Sequence, residues 1–298
     1  MIKLIATDLD GTLFYPKNRI TGIPATNKKF LRCYLDNGGK LILISGRNPR
    51  IVPKIERQLH HKVSLIGCNG GFYMDEDHKI HNPIPMNRDK LVELFAYIHH
   101  VFGPWLWMLF DTSDVLYTNC SNVPKGIDLG FRYGNLFRFY FAEKLIKGDA
   151  NFVNRLATKD NFKAMIAFGV KQDGKTKAEQ ACLALKARFG DYFEFATSLN
   201  VIEVTAKGVQ KGNGLVSYCK ANNIDINEVA VCGDSGNDLY MFARFPHTFA
   251  MEHSPEHFKS QANHVISRIS GLQEYLDNPS LLENDKIKEI NYEKALDN

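Results

Sequence analysis

Residues 3–14, KLIATDLDGTLF, decide the fold. A short apolar run ends in two carboxylates two positions apart, Asp8 and Asp10, and a glycine and a threonine follow before apolar residues resume. An apolar run of that length without alternation reads as a buried strand. Strands buried on both faces belong to parallel sheets covered by helices, and in open sheets of that kind ligands bind beyond the carboxyl ends of the strands. The two acids therefore stand where a ligand is expected.

Working outward, residues 24–39 (PATNKKFLRCYLDNGG) carry helical apolar spacing that ends at Gly38 and Gly39. Residues 40–47 (KLILISGR) read as a second strand, residues 48–61 as a helix whose start Pro53 delays, and residues 63–71 (VSLIGCNGG) as a third strand. The pattern returns near the end. Residues 211–223 form a helix, 228–234 (EVAVCGD) a strand, 235–245 (SGNDLYMFARF) a helix and 247–251 (HTFAM) a strand. Residues 254–262 are expected as a helix capped by Ser254 before Pro255, and HVIS as the last strand.

The middle has another texture. A helix over residues 87–100 precedes a hairpin of WLWMLFD and DVLYTN, and three further strands (162–170, 192–198 and 201–206) flank a helix over 176–190. Consecutive strands of this kind favour an antiparallel sheet with helices on one face. The expected organisation is α/β: a Rossmann-like, doubly wound parallel-sheet core from residues 1–83 and 207–298, with an α/β domain inserted over 84–206. A chain of 298 residues accommodates two such domains, at roughly 100–200 residues each.

Composition narrows the classes. Charged residues make up 23% and hydrophobic ones 44%, the usual mix of a globular protein. The net charge of +4 comes from scattered residues without a basic tail, so no nucleic-acid partner is implied. Six cysteines lack the C-x-x-C spacing of zinc or redox motifs. Acids arrive too soon after Met1 for a secretory or membrane-spanning segment, so a cytoplasmic protein without a membrane partner is expected, as a monomer or weak homo-oligomer.

Four stretches carry chemistry. Asp8 and Asp10 close the first strand, and Asp234 and Asp238 follow another in VCGDSGND. Two full charges about 4 Å apart repel by roughly 4 kcal/mol at an effective dielectric of about 20, so convergence of Asp8, Asp10 and Asp234 calls for a cation. All-oxygen ligands point to Mg²⁺, although the acids alone leave Ca²⁺ and Mn²⁺ open. Ser45 and Gly46 end a strand with a hydroxyl and a backbone N–H suited to a phosphate oxygen, although by themselves they read more often as a plain turn. Lys211 opens a helix, where acids are usually preferred; lysine is unfavourable there unless something negative sits nearby, and by itself it reads as a solvated lysine.

In this order, DLDGT, SGR, the lysine of GVQKG, and GDSGND resemble the haloacid dehalogenase-like superfamily, and within it the Cof-type sugar-phosphate phosphatases. The resemblance spans the chain and identifies the insert with the family's α/β cap domain. It implies an Mg²⁺-dependent phosphatase acting on a small phosphomonoester, a sugar phosphate or similar metabolite, through an aspartyl-phosphate. Asp8 would be the nucleophile, and Asp10 would protonate the leaving alcohol and then activate water. Asp8 and Asp234, the Asp10 carbonyl and the backbone of Ser235 would hold Mg²⁺, with Asp238 supporting those ligands from behind. Ser45, the amides of Leu9 and Gly46, Lys211 and Asn237 would hold the phosphoryl oxygens.

Asp10 counts against a dehalogenase, because halide needs no proton on leaving, and a pump of the same chemistry carries threonine there and needs membrane helices. Phosphotransfer to a second hydroxyl, as in phosphomutases, and a non-catalytic phosphate-ligand sensor stay as alternatives. One departure from the family is Glu252-His253-Ser254, where glycine, asparagine and alanine are usual after the methionine strand. Thr12 is expected to brace its own turn, and Trp105 and Trp107 to pack in the core of the insert. The pairs His60-His61 and His99-His100 do not share a helix face and read as helix-end cations rather than a metal site. Arg132 and Arg138 read equally as cap contacts for an anionic substrate or as surface charges.

Overall fold

The computed structural model describes residues 1–16, 22–119, 144–148, 151–169 and 172–290. Arg132 and Arg138 lie outside the described residues. The chain divides into two compact units, one of Met1–Ser45, Ile51–His81 and Gln210–Asn298, the other of Gly46–Arg50 and Asn82–Val209.

Strands β1 (Leu4–Thr7), β2 (Lys40–Ile44), β3 (Ser64–Gly67), β4 (Phe72–Met74) and β5 (Ile80–His81) come first along the chain. Within the second unit lie β6 (Leu106–Phe110), β7 (Val115–Asn119), β8 (Leu145–Lys147), β9 (Lys163–Ala167), β10 (Phe193–Ser198) and β11 (Val201–Ala206). The chain closes with β12 (Val229–Gly233), β13 (His247–Met251) and β14 (His264–Ile266).

The first unit is built on an eight-stranded sheet in the order β14-β13-β12-β1-β2-β3-β4-β5. Its run from β14 to β3 is parallel throughout. Every residue of β1, β12 and β13 is buried, as sheets covered on both faces require. Succession from β1 runs through β2 to β3 on one side, and β12 runs through β13 to β14 on the other. The order reverses between β1 and β12, which is where open sheets of this class leave a crevice. In the register, Thr7 stands opposite Cys232 and Leu43, so the residues that follow these strands emerge side by side.

Helices Ala25–Asp36, Val52–Leu59 and Lys211–Ala221 follow the sequence reading, with Pro53 in the first turn of the second, where its missing N–H costs nothing. Leu4, Ala6, Ile42, Ile44, Ile66, Val229 and Val231 pack with Leu215, Phe242, Phe245 and Phe258 into one apolar cluster. Parts of this unit depart from the sequence reading. The antiparallel pair β4–β5 extends the sheet edge, and no strand was expected there. The helix expected over residues 235–245 shrinks to a 3-10 turn, Gly236–Asp238, followed by Leu239–Phe242. Ser254 does not cap the short helix Glu256–Lys259; its hydroxyl donates instead to the Asp234 carbonyl at 2.9 Å.

The second unit holds a six-stranded sheet, order β10-β11-β9-β6-β7-β8, antiparallel except for the parallel pair β7–β8. Leu91, Leu94 and Ile98 of the helix Arg88–Phe102, and Ala178, Ala181 and Leu185 of the helix Gln172–Phe189, share one cluster with Trp107, Leu109, Ala164, Ile166, Ile202 and Val204. Alternate strand residues thus face the helices, the period expected of a half-covered sheet. Trp107 is fully buried there, whereas Trp105 precedes β6, is only half-buried and lies against Gly169. Because the strand starts one residue later than expected, alternation does not carry Trp105 into the core.

Candidate active site

The site residues gather at the carboxyl ends of β1 and β12. Past Thr7 the chain enters a wide turn: the Leu13 N–H donates to the Asp8 carbonyl at 3.1 Å and the Phe14 N–H to the Leu9 carbonyl at 3.0 Å. Bonds spanning five residues are rare and often mark functional positions. Asn27 steadies the turn from the neighbouring helix, its side-chain amide donating to the carbonyls of Leu13 (3.1 Å) and Tyr15 (3.2 Å). Gly11 has φ +88°, and a Cβ there would lie 2.3 Å from an Asp234 carboxylate oxygen. Glycine is needed at this place for its backbone and for the room it leaves the acid.

Lys211 ties the acids together. Its Nζ lies 2.7 Å from Asp8 Oδ1 and 2.7 Å from Asp238 Oδ1, with all three side chains buried. The lysine that by itself reads as solvated is instead buried between a pair of carboxylates. Burial alone would lower the Lys211 ammonium, but Asp238 and Asp8 outweigh it and hold the group well above its usual range. Asp8 is raised well above the usual carboxylate range, first by burial; Lys211 pulls it down, and Asp238 and Asp234 push it up again. Asp234 is pushed up to about 7, by burial and then by Asp238, with the Thr12 hydrogen bond and Lys211 opposing and Asp10 adding to the rise.

Ligand oxygens of Asp8, Asp234 and Asp238 all lie within 4.8 Å of one another. Three carboxylates against one ammonium leave negative charge at a buried place, which fits a hard divalent cation on oxygen ligands. Asp238 is already committed. Its Oδ1 is taken by Lys211, while Oδ2 accepts from the backbone N–H of Asp234 (2.9 Å) and of Ser235 (3.1 Å). That leaves Asp8 and Asp234 as the side chains able to face an ion.

Thr12 was expected to brace its own turn, but its hydroxyl donates to Asp234 Oδ1 at 2.8 Å, fixing a carboxylate 222 positions away. Ser235 Oγ donates to Asn237 Oδ1 at 3.1 Å. Ser45 is buried at the end of β2, the strand beside β1, its N–H donating to Ile66 and its carbonyl accepting from Asn69. Leu9 is buried between the two acids and Asp10 is exposed. Gly46 follows Ser45 in the chain and groups with the second unit. Sequence reasoning missed Asn27, Ser254 and the contact of His253 with Tyr15, none of which carries a spacing signal.

Among the described residues, no helix is long and apolar enough to cross a membrane. His61 pairs with Asp36 at 2.9 Å and His99 stacks on Phe95, so these members of the histidine pairs have structural partners.

The chain is 24% identical over 274 residues to the 5-amino-6-(5-phospho-D-ribitylamino)uracil phosphatase YwtE of Bacillus subtilis, covering 89% of this chain and 92% of the relative. It is 24% identical over 275 residues to the pyridoxal phosphate phosphatase YbhA of Escherichia coli, covering 89% and 93%. The fold matches a haloacid dehalogenase-like hydrolase from Bacteroides thetaiotaomicron with a TM-score of 0.75 at 19% identity, covering 93% of this chain and all of the other. The haloacid dehalogenase-like hydrolase family profile matches residues 5–270, and the chain belongs to that family.

Proposed function

We propose that the protein is an Mg²⁺-dependent phosphatase that hydrolyses a small phosphomonoester through an aspartyl-phosphate on Asp8. The observation that carries this reading is the buried Lys211 ammonium bridging Asp8 and Asp238 beside Asp234 at the strand ends. Such a site presents one carboxylate as nucleophile and keeps a cation next to it for an anionic substrate. The relatives named as phosphatases of two small phosphate esters support the substrate class.

In the mechanism, an Asp8 carboxylate oxygen attacks phosphorus while the bond to the leaving alcohol breaks. Asp10 gives its proton to that alcohol, then takes one from the water that splits the aspartyl-phosphate and releases inorganic phosphate. Lys211 screens Asp8 from the approaching dianion, and with Ser45, Asn237 and the Leu9 and Gly46 amides it holds the phosphoryl oxygens. Asp8 and Asp234, with the Asp10 carbonyl and the Ser235 backbone, would hold Mg²⁺, which supplies charge neutralisation of the transferred group. Asp238 fixes the 234–235 backbone and Lys211 from behind. The insert acts as the cap that supplies substrate contacts, and five free cysteines among the described residues suit a cytoplasmic home.

A phosphate-release screen over phosphorylated metabolites with Mg²⁺ tests the reading. Turnover that disappears with chelator and in Asp8→Asn is expected. Isomerised phosphosugar without free phosphate would replace hydrolysis by phosphotransfer, and no Mg²⁺-dependent turnover of any ester would contradict the enzyme.

A further inference from the structure

The loop after β13 is the place where this chain leaves its family's pattern, and the structure gives that loop a task. The His253 ring stacks on Tyr15 with centroids 3.8 Å apart and planes 21° from parallel. Tyr15 ends the turn that Asp8 begins, its N–H donating to the Thr12 carbonyl at 3.1 Å. The edge of the same imidazole points elsewhere: Nε2 lies 4.0 Å from Asp234 Oδ2. One ring thus packs on the end of the turn that Asp8 begins and approaches Asp234.

The loop is fastened on each side of His253. Glu252 N–H donates to the Ile266 carbonyl at 2.8 Å, Ser254 N–H to the Met251 carbonyl at 3.0 Å, and Ser254 Oγ to the Asp234 carbonyl at 2.9 Å. These bonds hold the backbone on each side of His253 next to Asp234. Thr12 already holds Asp234 Oδ1, so the imidazole faces the oxygen that Thr12 leaves over. At 4.0 Å the contact is longer than a direct hydrogen bond and short enough for a bridging water or a small ring rotation.

Resting on the proposed function, we propose that His253 is a positioning residue for the divalent-metal site, aligning the Asp234 carboxylate with the Asp8 turn. Packing alone would be served by phenylalanine, which stacks on tyrosine equally well. The nitrogen beside Asp234 is what packing does not need. Groups that orient a ligating carboxylate typically contribute about 10- to 100-fold in metal affinity.

The test is Mg²⁺ titration calorimetry on the full chain, with thermal unfolding of each variant in chelator. His253→Phe keeps the stack and removes the nitrogen, and is expected to raise the Mg²⁺ Kd about 10- to 100-fold with the metal-free Tm unchanged. His253→Ala removes both, and is expected to raise Kd similarly while lowering the metal-free Tm. A wild type that binds Mg²⁺ and a phenylalanine variant that matches its Kd overturn the positioning role alone. A wild type that binds no Mg²⁺ overturns the metal reading together with it.

Discussion

Single residues at this site are constrained by partners far away in the chain. Gly11 is the sharpest case, because both its left-handed backbone and the missing Cβ are required, the latter by an Asp234 oxygen that would lie 2.3 Å away. Gly11→Ala is expected to destabilise the protein by about 1–3 kcal/mol, the usual cost of a residue held in such a conformation. It also displaces Asp234, so Mg²⁺ affinity should fall with it. Denaturant unfolding and metal titration read both; wild-type values in each would contradict the packing described. Asp8, Asp10 and Asp234 stand out in the sequence because acids placed just past apolar runs carry a local signal, whereas Lys211, which by itself reads as a solvated lysine at a helix start, stands out only through the family resemblance. The bond from Thr12 to Asp234 and the stack of His253 on Tyr15 were not legible there, since through-space partners leave no spacing to read.

At the scale of elements, the start of the segment after β12 is shaped by one side chain. Asp238 closes a capping box with Ser235, gathers the N–H groups of Asp234 and Ser235, and receives Lys211 on its other oxygen. That concentration of bonds explains why the helix expected over residues 235–245 gives way to a tight turn and a single short helix. Sequence periodicity shows apolar spacing but not where a carboxylate binds backbone. Asp238→Ala strands the buried Lys211 with one partner and removes the box, and is expected to cost about 3–5 kcal/mol, as for breaking a buried charge pair. A change below about 1 kcal/mol in denaturant unfolding would mean that the segment is held by other contacts. Ser254 teaches the same lesson, since a serine before proline looks like a cap and instead serves Asp234.

For the whole molecule, the long sequence distance between DLDGT and GDSGND is closed by the parallel pairing of β1 with β12. The strands were legible because runs such as LIAT and VAVCG are buried throughout, whereas the short edge pair β4–β5 has too few residues to show a period. Bringing the acids together has a consequence for stability against pH. Asp234 is pushed up to about 7 and Asp8 is also raised, so the metal-free fold binds protons more tightly than the unfolded chain. Its stability should therefore fall as pH rises from the ordinary carboxylate range through about 7, where Asp234 loses its proton. Mg²⁺ needs the carboxylates ionised, so its stabilising effect should grow over the same window. Thermal unfolding with and without Mg²⁺ at about pH 5.5 and about pH 8 measures this; an equal gain in Tm at both would contradict the metal site.

The most direct test of the central claim is to quench the enzyme during turnover of a radiolabelled phosphomonoester and map the label by peptide mass spectrometry. A covalent phosphoryl group on Asp8 is expected, lost in Asp8→Asn together with turnover. Turnover with the label on another residue, or undiminished turnover in Asp8→Asn, would contradict that claim.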